Sequence, residues 1–113
     1  MNIQRGEVIR IHLNPISGRE QSGNARPCLV ISGTKYNAVR GGIVIATPIT
    51  RTIKPEVKIM IPVPDGFKVQ GSVIVEQVRT LDLKTRWWKT TGEVLPKLFV
   101  DEVVETLNLI IGT

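Results

Sequence analysis

Residues 7–13 alternate with a period of two: Ile9, Ile11 and Leu13 share one face, Val8, Arg10 and His12 the other. That period is the mark of a β-strand. Residues 27–32 are nearly all apolar, as a strand covered on both faces would be. Residues 42–49 are rich in Ile and Val and lead into Pro48-Ile49-Thr50. Val57, Ile59, Ile61 and Val63 then alternate with Lys58, Met60 and Pro62. A β-branched run covers 72–78, and 89–94 adds a last short strand. Pro64-Asp65-Gly66 is a turn, since proline presets φ and glycine tolerates a positive one.

The pattern changes near the C-terminus. From Pro96 to Ile111, Phe99, Val100, Val103, Val104, Leu107, Ile110 and Ile111 form one wide apolar stripe. Asp101, Glu102, Glu105 and Asn108 lie opposite, so this segment is predicted to be an amphipathic helix. Pro96 suits its first turn and Gly112 its end. The expected fold is mainly β with a C-terminal helix, a small and partly open barrel forming a single domain over 1–113.

Gly18 to Pro27 separates two of these strands with Gly-Arg-Glu-Gln-Ser-Gly-Asn-Ala-Arg-Pro. A connection that only closes a hairpin needs two to five turn residues. This one is longer and carries an acid, two amides and two arginines, the profile of a functional loop on a rigid scaffold.

Fifteen Lys and Arg against ten Asp and Glu leave a net charge of +5, which favours a polyanionic partner. Apolar runs are too short to cross a membrane, and the first residues lack the apolar stretch of a signal peptide. A cytoplasmic protein is expected. Cys28 is the single cysteine and His12 the single histidine, so no metal-ligand spacing and no cysteine–histidine nucleophile pair is visible. Cys28 sits in the most apolar strand and is expected to be buried and inert.

Five pieces resemble the MazF/PemK family of toxin endoribonucleases from bacterial toxin–antitoxin pairs. They are Arg5-Gly6-Glu7-Val8, Glu20-Gln21-Ser22-Gly23, Arg26-Pro27-Cys28-Leu29-Val30-Ile31, Thr47-Pro48-Ile49-Thr50 and the run from Val73 to Asp82. They follow the family's order almost end to end. The resemblance implies an SH3-like barrel (PemK/CcdB-like), a homodimer, single-stranded mRNA as substrate and an acidic antitoxin as partner, with no cofactor.

RNA cleavage of this kind needs neither metal nor enzyme nucleophile, because the substrate brings its 2′-hydroxyl. A base must take that proton and a cation must stabilise the phosphorane. At the family's positions the chain offers Arg26, Thr50 and Glu76. Pro27 biases Arg26 toward an extended backbone, and a guanidinium clamps phosphate through paired hydrogen bonds. Thr50 can donate a hydroxyl proton, or simply cap the turn after its strand. Glu76 interrupts a strand otherwise built for burial, so it is either an ion-pair partner or poised for proton transfer.

Two departures matter. Where some relatives have an arginine two residues before the acid, this chain has Ile74; where some have a histidine before Glu20, it has Arg19. Arg26 then stabilises charge rather than donating a proton, because a guanidinium is a poor acid. Arg19 is expected as a second phosphate contact. Glu20, Gln21 and Gln77 suit base edges, and Arg51, Lys54 and Lys58 suit the backbone, with a solvated surface as the alternative for each. Trp87 and Trp88 are adjacent on a strand, so at most one joins the core; the other suits an antitoxin anchor. The competing functions are a CcdB-like gyrase poison and a nucleic-acid-binding barrel without chemistry.

Overall fold

A computed structural model describes residues 2–14, 25–52, 55–56 and 59–112. Seven strands and two helices follow in the order β1 (Glu7–Ile11), β2 (Arg26–Val30), α1 (Thr34–Arg40), β3 (Ile43–Thr50), β4 (Met60–Pro62), β5 (Ser72–Ile74), β6 (Arg79–Asp82), β7 (Trp88–Val94) and α2 (Lys97–Ile111). The strands form one antiparallel sheet in the order β4-β5-β3-β2-β1-β7, with β6 also paired to β3. The expected mainly β architecture with a C-terminal helix is present, and the sheet is not closed.

Both faces of the sheet are covered, which explains why β2 reads as continuously apolar. Leu29 faces one cluster with Val8, Ile49, Val73 and Val75, and α2 closes it with Phe99, Val100 and Val103. Cys28 and Val30 face the other, with Ile9, Ile11, Val44, Ala46 and Leu81. Two-sided burial also revises the reading of β1. Val8 and His12, on the face opposite Ile9 and Ile11, are buried as well, and Arg10 is the exposed residue between Ile9 and Ile11.

Three expectations need correction. The 72–78 run is not one strand: β5 stops at Ile74, a 3₁₀ turn covers Val75–Gln77, and β6 resumes at Arg79. β3 causes the break by changing partners, pairing Ile49 with Val73 but Ala46 with Arg79. Residues 57–63 contribute only Met60–Pro62 as strand, and Val57 and Lys58 lie outside the described residues. Helix α1 has no counterpart in the sequence pattern. Its seven residues have no apolar stripe, and buried Asn37 anchors it by donating to the carbonyls of Ile3 (2.9 Å) and Ser32 (3.2 Å).

Gly71 is one glycine that the packing demands. Its φ is +118°, and a Cβ there would collide with the carbonyl of Thr50. Only glycine lets β5 approach the end of β3 this closely.

Candidate active site

β2 begins at Arg26 and β3 ends at Thr50, and the two strands pair with Cys28 opposite Pro48 and Leu29 opposite Thr47. Carrying that register outward brings Arg26 beside Thr50 at the same end of the sheet. Arg26 is exposed there, whereas Thr50 is buried. The Thr50 Oγ1 accepts the Thr52 amide at 3.1 Å, which fixes the rotamer and leaves its own proton to donate outward.

The two residues open onto a cleft of about 660 Å³. Arg10, Arg51 and Lys68 share its walls with them, over an apolar floor that includes Val8, Pro27 and Ile49. Among the described residues, four cationic side chains therefore face one carboxylate, Glu93. Glu93 is already engaged: its Oε2 accepts the Lys68 amide at 2.6 Å and its Oε1 accepts the Val69 amide at 2.9 Å. Those two backbone donors, Lys68 first, hold its carboxyl below the usual glutamate range. Glu93 thus ties the β4–β5 connection to β7 as a wall of the cleft. The remaining charge is strongly positive.

Behind Arg26, Cys28 is fully buried, and desolvation pushes its thiol up to about 12 against the opposing pull of Arg79 and Arg26. It is inert, as expected. Ile74, at the position where some relatives carry arginine, is also buried and offers no proton.

Glu76 is placed differently from its sequence reading. It stands exposed on the 3₁₀ turn rather than inside a strand, so burial imposes no ion pair on it. It does not line the cleft. The turn flanks β3 on the side away from β2, where the partner of β3 switches from β5 to β6. Two strand widths, roughly 10 Å, separate it from the β2 side. Gln77 is exposed beside it. Arg51 is exposed on the cleft, while Arg19, Glu20, Gln21, Lys54 and Lys58 lie outside the described residues.

Trp88 packs against the second core cluster. Trp87 turns the other way and meets buried His12 edge to face, with ring centroids 5.9 Å apart. Neither indole is fully buried. Beside them, Arg86 donates from Nη1 to the carbonyls of His12 and Leu13, each at 2.8 Å.

Three cleft residues escaped the sequence reading. Arg10 was visible as the charge in an apolar alternation; Lys68 and Glu93 meet only through the fold and carried no local signal. Among the described residues, no three His, Cys, Asp or Glu side chains cluster as metal ligands would. No described helix is long and apolar enough to cross a membrane.

An open antiparallel sheet backed by one C-terminal helix, with an arginine and a threonine at a cationic cleft, defines a small β protein with a positively charged candidate site. Its relatives make the class specific. Residues 4–111 match the family described as PemK-like, MazF-like toxin of type II toxin-antitoxin system, and the chain belongs to that family. The endoribonuclease toxin ChpB of Escherichia coli K12 is 35% identical over 90% of this chain and 84% of its own length. The endoribonuclease PemK of E. coli is 30% identical over 97% of this chain and 83% of its own. A MazE-MazF crystal structure from Deinococcus radiodurans superposes with a TM-score of 0.78 at 25% identity, covering 100% of this chain and 98% of that one.

Proposed function

We propose that this chain is an endoribonuclease toxin that cleaves single-stranded mRNA at specific sequences without a metal ion. The observation that carries the proposal is the meeting of Arg26 and Thr50 at a cleft where, among the described residues, the other cations Arg10, Arg51 and Lys68 face one engaged carboxylate. Such a site attracts a phosphodiester and presents a charged and a neutral donor to its oxygens.

In the proposed reaction the 2′-oxygen attacks the adjacent phosphorus and the bond to the 5′-oxygen breaks. One product ends in a 2′,3′-cyclic phosphate and the other in a 5′-hydroxyl. Arg26 and Thr50 stabilise the equatorial oxygens of the phosphorane. The resemblance assigns the 2′-proton to Glu76, which stands outside the cleft, so the scissile ribose must lie toward the turn for the carboxylate to reach it. The RNA then runs from the cleft across the end of β3 to the exposed turn. Gln77, Glu20 and Gln21 meet base edges, and Arg51, Lys54 and Arg19 follow the phosphate backbone. The leaving oxygen takes its proton from solvent, since a guanidinium is a poor acid.

The working unit is a homodimer, inhibited by an acidic antitoxin segment that covers the same cationic cleft and anchors on Trp87 or Trp88. The similarity to a MazE-MazF structure supports a partner of that kind.

Purified protein in excess EDTA tests the chemistry on end-labelled RNA. Cleavage is expected to persist and to yield a cyclic phosphate. A single 2′-deoxy nucleotide 5′ to the cut should block reaction while binding continues. Cleavage of that substrate, or a strict need for magnesium, would overturn the mechanism.

A further inference from the structure

We propose that Arg10 is a positioning residue for Arg26, an inference that rests on the role of Arg26 proposed above. The Nη2 of Arg10 donates to the carbonyl of Ala25 at 2.9 Å, bridging 15 residues of chain. Ala25 is buried and immediately precedes Arg26, so the bond fixes the peptide from which the Arg26 side chain departs.

That peptide needs an added tie. Arg26 is the first residue of β2, and Pro27 follows it with no N–H to give to the ladder. Arg10 sits directly opposite Pro27 in the β1–β2 pair. The strand start is therefore one ladder bond short, and the Arg10 side chain adds a separate tie from β1 to the carbonyl that precedes Arg26. Arginine has the reach for this, since its long stem spans from the position opposite Pro27 to the carbonyl of Ala25, two residues back along the chain. Arg10 is also the exposed residue between buried Ile9 and Ile11 and lines the same cleft as Arg26. β1 lies between β2 and β7 in the sheet, which makes it a rigid base for this strut.

Positioning acts on the rate rather than on capture of the substrate. A displacement of about 1 Å at a transition-state contact costs on the order of 10²-fold. Arg10→Met keeps most of the apolar stem and removes the donor. It should lower kcat by about 10- to 100-fold with KM little changed. The salt dependence of RNA binding should keep its slope, since no phosphate contact is lost. Arg10→Lys, which retains a donor of nearly equal reach, should recover most of the rate. In an Arg26→Ala background, Arg10→Met should add no further loss.

A raised KM with a salt slope smaller by about 1 would show that Arg10 touches phosphate directly, overturning the proposal. So would additive losses in the double variant, or an unchanged kcat. If Arg10→Met folds poorly, Arg10→Gln takes its place with the same expected split between kcat and KM. The two readings fail separately. A fully active Arg26→Ala removes the role of Arg26, whereas an inactive Arg26→Ala beside a fully active Arg10→Met removes only the strut.

Discussion

The hydroxyl of Thr47 is completely buried and donates to the carbonyl of Ile74 at 2.6 Å. It spans the point where β3 gives up β5 and takes β6 as its partner. No sheet ladder covers that carbonyl there, and the threonine side chain satisfies it instead. The chain then leaves Ile74 directly into the 3₁₀ turn that presents Glu76 and Gln77.

Replacing Thr47 by valine preserves shape and removes the donor, leaving the Ile74 carbonyl buried and unpaired. Such an orphan costs about 1–3 kcal/mol. Denaturant unfolding should report a loss in that range. Exchange of the Val78 amide, which donates to Val75 across the turn, should accelerate by more than global stability accounts for. Unaltered exchange at Val78 would mean that the turn holds itself.

A second tie holds the cleft wall. Glu93 accepts the amides of Lys68 and Val69, and these bonds depress its pKa below the ordinary value of 4.5. A depressed carboxylate stabilises the fold above its unfolded pKa, and the contribution fades as pH falls through the lower, folded value. The amide shifts of Lys68 and Val69 should therefore titrate together, with a midpoint below 4.5. Glu93→Gln should abolish that titration. A midpoint at or above the ordinary value would show that the wall is not held this way.

Much of this arrangement was legible in the residues, and the exceptions have identifiable causes. α2 declares itself because period and burial agree over its first turns, whereas β1 and β3 show as β-rich runs whose alternation two-sided burial removes. α1 is invisible to periodicity, since a tertiary hydrogen-bond set around Asn37 holds it in place of an apolar stripe. The 72–78 run is rich in β-branched residues, yet β3 cannot pair one strand along its whole length and the run breaks at Val75. Arg26 and Thr50 could be named from a resemblance. That they meet depends on the β2–β3 register, and that Arg10, Lys68 and Glu93 join them depends on the sheet order. No local pattern encodes either.

Cys28 offers a probe of the second core cluster without touching the site. Its thiol is buried and its pKa is raised to about 12, so almost no thiolate exists near neutral pH. A thiol reagent in mildly alkaline buffer should modify the folded protein only at the rate of opening, and the denatured protein at once. Rapid labelling under native conditions would show that β2 detaches from β3 far more often than its burial implies.

The strongest division of labour lies between Arg26, Thr50 and Glu76. Arg26 is exposed at the cleft, so Arg26→Ala should leave stability nearly unchanged while lowering the cleavage rate by about 10²–10³-fold, the usual effect of losing a preorganised charge contact. Thr50 is buried and its Oγ1 receives the Thr52 amide, so Thr50→Ala carries two effects. It should destabilise by about 1 kcal/mol, and its rate loss should be smaller than that of Arg26→Ala because a neutral donor is weaker than a charged one. Glu76 is exposed on its turn, and Glu76→Gln should leave the unfolding midpoint unaltered. If Glu76 is the base, the variant should lose most of its activity. A Glu76→Gln protein that keeps its rate would assign the proton to another group, with the roles of Arg26 and Thr50 intact.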